Sequence, residues 1–158
     1  MTGIGDAEVV ATNQAMNQLN HLDEKTVIAR ICTAFPDIEA IYLFGSFADG
    51  SQDQRSDLDL ALLLRPPHDQ YESRNLFLHP LHGQLQELTG RNVDLLNLRQ
   101  MTTVLQKEVV MLGRRIHCPH ELAADQFDID VLSRYQKLNQ ERAEIMQAFE
   151  NTGRAYDV

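Results

Sequence analysis

Cysteine is scarce in this sequence and tryptophan is absent. The two cysteines, Cys32 and Cys118, are far apart in the chain, so we expect neither a disulfide framework nor a zinc site made of close cysteine pairs. No apolar run reaches the length of a membrane span, and the N-terminal stretch lacks the basic start and apolar segment of a signal peptide. These absences predict a cytoplasmic protein that makes no use of a membrane.

Basic residues are few as well. The chain has 14 Lys and Arg against 23 Asp and Glu, which gives a formal net charge of -9. Contacts with a nucleic-acid backbone need Lys and Arg to neutralise phosphates, so we predict no direct binding of nucleic acid. The acidic balance fits a basic protein partner or an active site that gathers cations. The length of 158 residues, 43% of them hydrophobic, predicts a single domain over 1–158 with a substantial core.

Apolar periodicity divides the chain into alternating helices and strands. Pro36 ends the first predicted helix, and Pro80 is expected to kink the second. Helices are predicted over 6–35, 69–89 and 99–112, and strands over 38–44, 57–65, 92–98 and 114–118.

The tail, residues 125–150, is predicted to be a long amphipathic helix with one apolar stripe that Arg142 interrupts. Two interpretations remain open: the stripe packs on the domain's own sheet, or it binds a partner protein in a helix-in-groove contact. The stripe consists of Phe127, Val131, Tyr135, Leu138, Ile145 and Phe149.

Two carboxylates interrupt the apolar strand predicted over 57–65. Successive side chains of a strand point to opposite faces, so Asp57 and Asp59 share one face while Leu58, Leu60 and Leu62 point toward the core. Like charges this close repel, and one would be protonated unless a cation lay between them. Magnesium is a hard, oxygen-seeking cation that is usually held by one or two carboxylates together with substrate phosphates. The pair therefore predicts a magnesium site.

A Gly-Ser turn follows the strand predicted over 38–44 and indicates where phosphates would bind. Gly45 allows the backbone to approach a ligand closely. Ser46 can open a short helical turn whose free N–H groups and positive dipole end attract an anion, and its hydroxyl adds one more donor. A phosphate site beside a carboxylate pair predicts metal-bridged phosphate chemistry.

A third carboxylate, Asp94, interrupts the strand predicted over 92–98. If this strand lies beside the strand that carries Asp57 and Asp59, Asp94 faces the same site. Three carboxylates can hold two metal ions roughly 3.5–4 Å apart, the spacing that stabilises the attacking and leaving oxygens of an in-line displacement. Asp94 is then the natural general base for an attacking hydroxyl.

Each of these residues also has an ordinary structural role. Asp57 can cap a turn after Ser56, Asp94 can keep an edge strand soluble, and Gly-Ser pairs are common in turns. The combination of these residue types at fixed spacing, in a strand–turn–strand setting, favours the functional interpretation.

Gly45 and Ser46, ten further residues, the Asp-Leu-Asp triplet that begins at Asp57, and then Asp94 together resemble the signature of the polymerase-β-like nucleotidyltransferase superfamily. The small size resembles that of its minimal nucleotidyltransferases, in particular the MntA antitoxin group of HEPN/MNT toxin–antitoxin systems. The resemblance covers about residues 22–118. It implies an α/β fold in which a mixed sheet is flanked by helices.

The resemblance also implies an activity, its cofactors and a partner. Asp57, Asp59 and Asp94 would hold two magnesium ions, and Gly45 and Ser46 would contact the phosphates of ATP, the co-substrate. Members of this group pair with a HEPN-family RNase toxin, transfer AMP from ATP to a tyrosine hydroxyl of that toxin and so neutralise it. The chain is accordingly expected to be an antitoxin that acts as a protein adenylyltransferase.

One position departs from the family pattern. Members often carry a basic residue soon after the Gly-Ser pair, where this chain has Asp49, and Arg55 is a candidate to supply the missing charge from the loop.

Two alternative functions follow from the same residues. One is a non-catalytic antitoxin that inhibits its toxin by binding through the helix over 125–150, and the other is a nucleotidyltransferase with a small-molecule or RNA acceptor. The three intact carboxylates favour an enzyme over a pure binder. The few residues after the last predicted strand leave little room for a separate acceptor domain.

Overall fold

The computed structural model describes residues 23–53, 55–65 and 76–153. Helices and strands alternate through these ranges. The helices are α1 (Glu24–Ala34), α2 (Ser46–Asp49), α3 (His79–Thr89), α4 (Thr103–Leu112) and α5 (Glu121–Thr152). The strands are β1 (Ala40–Phe44), β2 (Leu58–Leu63), β3 (Val93–Asn97) and β4 (Arg114–His117). Single 3₁₀ turns over Leu76–Leu78 and Leu98–Gln100 precede α3 and α4.

The described strands form one mixed sheet in the order β3-β2-β1-β4. β2 and β3 run parallel, whereas β1 is antiparallel to both β2 and β4. The connection from β2 to β3 includes α3, because a parallel pair requires a crossover. The expected α/β fold, a mixed sheet flanked by helices, is therefore confirmed.

Both faces of the sheet are buried, which explains the nearly continuous apolar run of β2. Leu58, Leu60 and Leu62 pack with α1 and α3 on one face. Ala61 and Leu63 pack with α4 and α5 on the other face. The leucines that alternate with the two carboxylates thus anchor β2 in the core, as predicted.

Each helix and strand predicted in the described ranges is present, but the helix predicted from residue 99 begins at Thr103, and the kink predicted at Pro80 is wrong. Pro80 lies in the first turn of α3, where a residue without an N–H leaves no helical hydrogen bond unmade. The first predicted helix ends at Ala34, ahead of Pro36. The parts of the predicted helices over 6–22 and 69–75 lie outside the described residues.

Helix α5 is longer than predicted and divides into a packed part and an exposed part. Phe127 and Val131 are buried in the core between the helix and the sheet. Ile145 and Phe149, further along the same stripe, are 44% and 46% exposed. Packing on the chain's own sheet therefore accounts for the first part of the stripe and leaves the second part uncovered by the described residues. Neither α5 nor another helix of the described ranges is long and apolar enough to cross a bilayer.

A partly buried hydrogen-bond network fastens α5 to the sheet. The hydroxyl of Tyr42, on β1, donates to Asp128 of α5 at 2.7 Å. Arg115 of β4 donates to the same hydroxyl oxygen at 3.2 Å, to Asp128 at 2.6 Å and to Asp125 at 2.7 Å. Burial, and then the hydrogen bond to Asp128, raises the pKa of Tyr42 far above its usual value. The tyrosine therefore stays protonated and remains a donor.

A second link joins α5 to the start of β1. Glu39, which is 6% exposed, pairs with Arg99 and lies 3.6 Å from the guanidinium of Arg65. Arg99 also donates to the carbonyl oxygen of Leu64 at 3.1 Å, and its guanidinium carbon lies 5.4 Å from the centre of the Phe127 ring. The paired arginines provide the compensation that a buried carboxylate requires.

Candidate active site

Three strand ends meet at one end of the sheet and bring predicted site residues together. Phe44, the last residue of β1, pairs with Asp59 in the antiparallel register. Asp59 pairs with Asp94 in the parallel register of β2 and β3. The prediction for Asp94 required that its strand lie beside β2, and the sheet meets this condition.

Asp59 is the most enclosed of the three carboxylates. It is half-buried, whereas Asp57 and Asp94 are exposed, and Asp57 immediately precedes β2. Burial raises the pKa of Asp59, and the charges of Asp94 and Asp57 raise it further. The repulsion between neighbouring carboxylates is therefore present in the structure, and a bound cation or proton relieves it.

Gly45 gives Asp59 the room that it occupies. The φ of 69° and ψ of -151° at Gly45 lie in a region that is essentially restricted to glycine. A Cβ atom built on residue 45 would overlap Oδ2 of Asp59. The turn after β1 thus requires glycine for two reasons, its own backbone angles and the carboxylate beside it.

Ser46 begins α2 directly after this turn, as predicted. Gly45 is the N-cap, and its carbonyl oxygen accepts from the backbone N–H of Ala48 at 3.0 Å. Phe47, 7% exposed, anchors the turn in the core. The first N–H groups of a helix have no acceptor within the helix. In α2 these groups lie next to Gly45, where they are available to an anion. Since α2 is only four residues long, its helix dipole is small, and any attraction for an anion comes mainly from these N–H groups.

Asp49, the acidic residue that departs from the family pattern, closes the loop behind α2. Its Oδ1 atom accepts from the backbone N–H of Ser51 at 2.9 Å and from the Ser51 hydroxyl at 2.5 Å. The hydroxyl, and then the backbone N–H, lowers the pKa of Asp49. Asp49 is therefore an ionised turn residue. Arg55 lies further along the loop, where it is exposed and lines a cavity.

Sequence reasoning missed one basic residue close to this site. Arg91, in the turn before β3, donates to the carbonyl oxygens of Asp53 and Ser56 at 2.8 Å and 3.2 Å. Its guanidinium carbon lies 4.9 Å from the centre of the Phe47 ring. Together with Arg55 it lines a cavity of about 420 Å³. The local sequence carries no signal for this role, because the partners of Arg91 are backbone carbonyls and a ring that are distant along the chain.

The carboxylates match a hard cation in ligand type and in general position. Asp57, Asp59 and Asp94 bring oxygen ligands to one end of the sheet, close enough for two of the charges to raise the pKa of the third. As they stand, no three His, Cys, Asp or Glu side chains of the described residues are grouped tightly enough to hold a metal ion. Complete coordination therefore requires the carboxylates to draw together or substrate phosphates to join them.

Comparison with known proteins agrees with this geometry. Residues 26–122 match the family model described as polymerase beta, nucleotidyltransferase. The chain is also 31% identical over 128 residues to the protein adenylyltransferase MntA of Shewanella oneidensis, in an alignment that covers 81% of this chain and 88% of the relative.

Solved structures give the same relationship. A chain from the crystal structure of a toxin–antitoxin with AMP-PNP is similar with a TM-score of 0.69 and 30% identity, and 82% of this chain and 99% of that chain are covered. A chain from the tri-AMPylated Shewanella oneidensis HEPN toxin in complex with MNT antitoxin is similar with a TM-score of 0.63 and 28% identity, with 84% and 98% covered. The family match and the similarity to MntA show that the chain belongs to the polymerase beta nucleotidyltransferase family.

Proposed function

We propose that the chain is an antitoxin that acts as a magnesium-dependent protein adenylyltransferase and transfers AMP from ATP to a tyrosine hydroxyl of a cognate HEPN-family RNase toxin. The observation that carries this proposal is the juxtaposition of Gly45, Asp59 and Asp94 at one end of the sheet. Similarity to a protein adenylyltransferase supports a protein as the acceptor. Similarity to a complex of a tri-AMPylated HEPN toxin with its antitoxin supports a HEPN protein as the partner.

Each carboxylate has a proposed role. Asp57 and Asp59 are metal ligands, and Asp94 is a third ligand and the general base. Asp59 is half-buried and lies against the backbone of Gly45, which restricts its position. Asp94 is exposed on β3, where a hydroxyl of a partner protein can reach it.

The Gly-Ser turn is the proposed site for the nucleotide phosphates. Gly45 and Ser46 lie at the head of α2, where N–H groups are available to an anion. ATP is the proposed co-substrate, and the toxin–antitoxin structure with AMP-PNP, an ATP analogue, supports this assignment.

The proposed transfer forms one bond and breaks one. The acceptor oxygen attacks the α-phosphorus of ATP, the bond from that phosphorus to the bridging oxygen of the β-phosphate breaks, and pyrophosphate leaves. Asp94 takes the proton of the attacking hydroxyl. Magnesium, when bound, supplies the positive charge that neutralises the phosphates, which the carboxylates alone cannot do. AMP on a tyrosine beside an RNA-cleaving site adds bulk and negative charge where an RNA phosphate must bind.

The exposed part of α5 favours a second function, direct binding of the partner. Ile145 and Phe149 continue the stripe of the buried Phe127 and Val131 but are 44% and 46% exposed. An exposed apolar stripe on a helix suits packing against another protein. A non-catalytic antitoxin would use this surface alone, whereas the enzyme would use it to hold its acceptor during transfer.

Intact-mass measurement separates these two functions. The chain is co-expressed with the product of the adjacent gene, as the candidate HEPN partner, and this product is then purified and its mass measured. We expect a gain of whole AMP units with the unaltered chain and no gain with Asp57→Asn/Asp59→Asn. A control pair, Asp37→Asn/Asp130→Asn, makes the same change in charge at exposed positions and should keep the transfer. A stable complex without any mass gain would overturn the adenylyltransferase and leave direct binding as the function.

A further inference from the structure

Arg91 lies outside the three carboxylates and the Gly-Ser turn, yet it contacts the segments that hold both. We propose that Arg91 is a positioning residue for nucleotidyl transfer, which keeps Asp57 and α2 in place by contacts with their supports. This inference rests on the proposed function. It assigns Arg91 a role that is exerted through backbone and ring contacts.

The loop between α2 and β2 leads to Asp57, and hydrogen bonds between Asp53 and Ser56 hold its last part. The N–H of Asp53 donates to Oγ of Ser56 at 2.9 Å, and the N–H of Ser56 donates to the carbonyl oxygen of Asp53 at 3.3 Å. Arg91 donates to that same carbonyl oxygen at 2.8 Å and to the carbonyl oxygen of Ser56 at 3.2 Å. The guanidinium therefore secures the turn at the residue directly before Asp57.

The residue after Asp57 is held from the same turn. The N–H of Leu58 donates to the carbonyl oxygen of Asn92 at 2.9 Å. Arg91 and Asn92 thus hold Ser56 and Leu58, on either side of Asp57. A carboxylate between two fixed backbone points has less freedom to move away from its neighbours when their charges repel.

The same guanidinium supports α2. Its carbon lies 4.9 Å from the centre of the Phe47 ring, and Phe47 is 7% exposed. A cation over a largely desolvated ring is attracted by the ring quadrupole. Arginine suits this position because its planar guanidinium can lie flat over a ring while one of its nitrogens donates to two carbonyl oxygens. An ammonium group has enough donors but lacks the flat face that stacks on the ring.

Hydrogen–deuterium exchange of the metal-free protein tests the positioning itself. Arg91→Ala should speed exchange of the amides of Ser56 and Leu58 by about tenfold or more, because local opening of the loop loses its support. Amides of β1 should exchange as in the unaltered chain. In Arg91→Lys, the exchange rates of the Ser56 and Leu58 amides should lie between those of the unaltered chain and those of Arg91→Ala. Arg30→Ala is the matched control, since it removes an exposed arginine that donates to Gln84 at 3.5 Å.

Transfer kinetics supply the second readout. Arg91→Ala should lower kcat about 10–100-fold, as expected for a group that orients metal ligands, and raise the magnesium concentration at half-saturation. The KM for the HEPN partner should stay within about twofold, because Arg91 is inferred to act on the site's own supports. Added methylguanidine should restore part of kcat in Arg91→Ala, since truncation vacates the position of the guanidinium and the adjoining open cleft gives access to it.

Each result decides the role of Arg91. Unchanged exchange at Ser56 and Leu58, or an unchanged kcat, in Arg91→Ala overturns the inference. If Arg91→Ala does not fold, amide exchange and kcat of Arg91→Lys are compared with those of the unaltered chain instead. Failure of the unaltered chain to transfer AMP would count against the proposed function, while exchange in the metal-free protein would still decide whether Arg91 holds the loop.

Discussion

The carboxylate of Asp59 occupies the space into which a side chain at residue 45 would project. This relationship couples the turn after β1 to the carboxylates of β2, because neither the turn nor Asp59 can move without affecting the other. A Gly-Ser pair and an Asp-Leu-Asp triplet that are separate in sequence therefore act as one structural unit.

We expect Gly45→Ala to lower both stability and transfer activity. The backbone angles at Gly45 are strained for alanine by about 1–3 kcal/mol, and the added methyl group overlaps Asp59. The free energy of unfolding, measured by urea denaturation, should fall by about 2 kcal/mol or more. Gly153→Ala is the control: it also has positive φ, at 68°, but a Cβ there meets no atom of the described residues within 4 Å. Equal losses for the two substitutions would contradict the role assigned to the Asp59 contact.

Asp59→Asn should stabilise the metal-free protein near neutral pH. Burial and the charges of Asp94 and Asp57 raise the pKa of Asp59 above its usual 3.8. With a raised pKa in the folded state, stability is highest while Asp59 is protonated and falls as the pH rises through that pKa. Thermal denaturation should therefore show a higher melting temperature for Asp59→Asn at neutral pH and no difference below pH 3.8.

Magnesium should reduce the difference in melting temperature between Asp59→Asn and the unaltered chain at neutral pH. A cation binds the ionised carboxylate of Asp59 and so stabilises the folded state of the unaltered chain. Asp37→Asn, an exposed substitution, should show neither effect. A metal-free protein in which Asp59→Asn is the less stable form at neutral pH would refute the prediction.

Glu39→Ala should destabilise the fold by about 1.5–3 kcal/mol, because it removes the charged acceptor that pairs with Arg99. The Arg99 side chain is 27% exposed and keeps its hydrogen bond to the carbonyl oxygen of Leu64, so it is not left as an uncompensated buried charge. Glu39 is 6% exposed and paired with Arg99. Chemical denaturation checks the magnitude. Glu108→Ala removes a carboxylate that is 46% exposed and lies 3.1 Å from Lys107, and it should change stability by less than about 1 kcal/mol.

Tyr42→Phe should lower stability by about 1 kcal/mol, the net contribution of a typical hydrogen bond. The substitution removes the hydroxyl that links Asp128 and Arg115, while the ring that fills the core is kept. Tyr135→Phe, which keeps the ring placed 5.0 Å from the Lys107 ammonium, is the control. If the two substitutions have the same effect on the free energy of unfolding, the network does not fasten α5 to the sheet.

The two parts of α5 should respond differently to the loss of an aromatic side chain. Phe127→Ala removes a ring that is 5% exposed and should cost about 3–5 kcal/mol of stability. Phe149→Ala, at a position that is 46% exposed, should change stability by less than about 0.5 kcal/mol. Co-purification with the HEPN protein then tests the exposed part: loss of the complex in Phe149→Ala at unchanged stability would establish it as a binding surface.

Local patterns in the sequence predict the central strand and its carboxylates for a clear physical reason. Strand periodicity alone places Asp57 and Asp59 on one face, and the leucines at the alternate positions, Leu58, Leu60 and Leu62, pack in the core as that periodicity requires. The prediction for Asp94 depended on which strands are neighbours, and a sheet order is not encoded in any single segment. The parallel register of Asp59 with Asp94 is a property of the assembled sheet.

Other features lie beyond local pattern because their causes are contacts between distant segments. In the sequence, Arg91 is indistinguishable from an ordinary surface arginine. It contacts Asp53, Ser56 and Phe47, which belong to another part of the chain. Glu39 precedes a strand, where a charged residue is ordinarily exposed, and Arg99 permits its burial. From the sequence, Pro80 could either kink a helix or lie in its first turn. The structure shows the second, because α3 begins at His79.

The parallel pairing of β2 with β3 also determines when the site can exist. Asp59 and Asp94 become neighbours only after the chain between them has completed the crossover that includes α3. Pairing between distant segments is slow, because the entropy of closing the intervening loop is lost before the contacts compensate for it. A chain that has formed only the antiparallel β1–β2 pair carries Asp57 and Asp59 but not the proposed base. We therefore expect the three carboxylates to come together late in folding, after the antiparallel β1–β2 pair has formed.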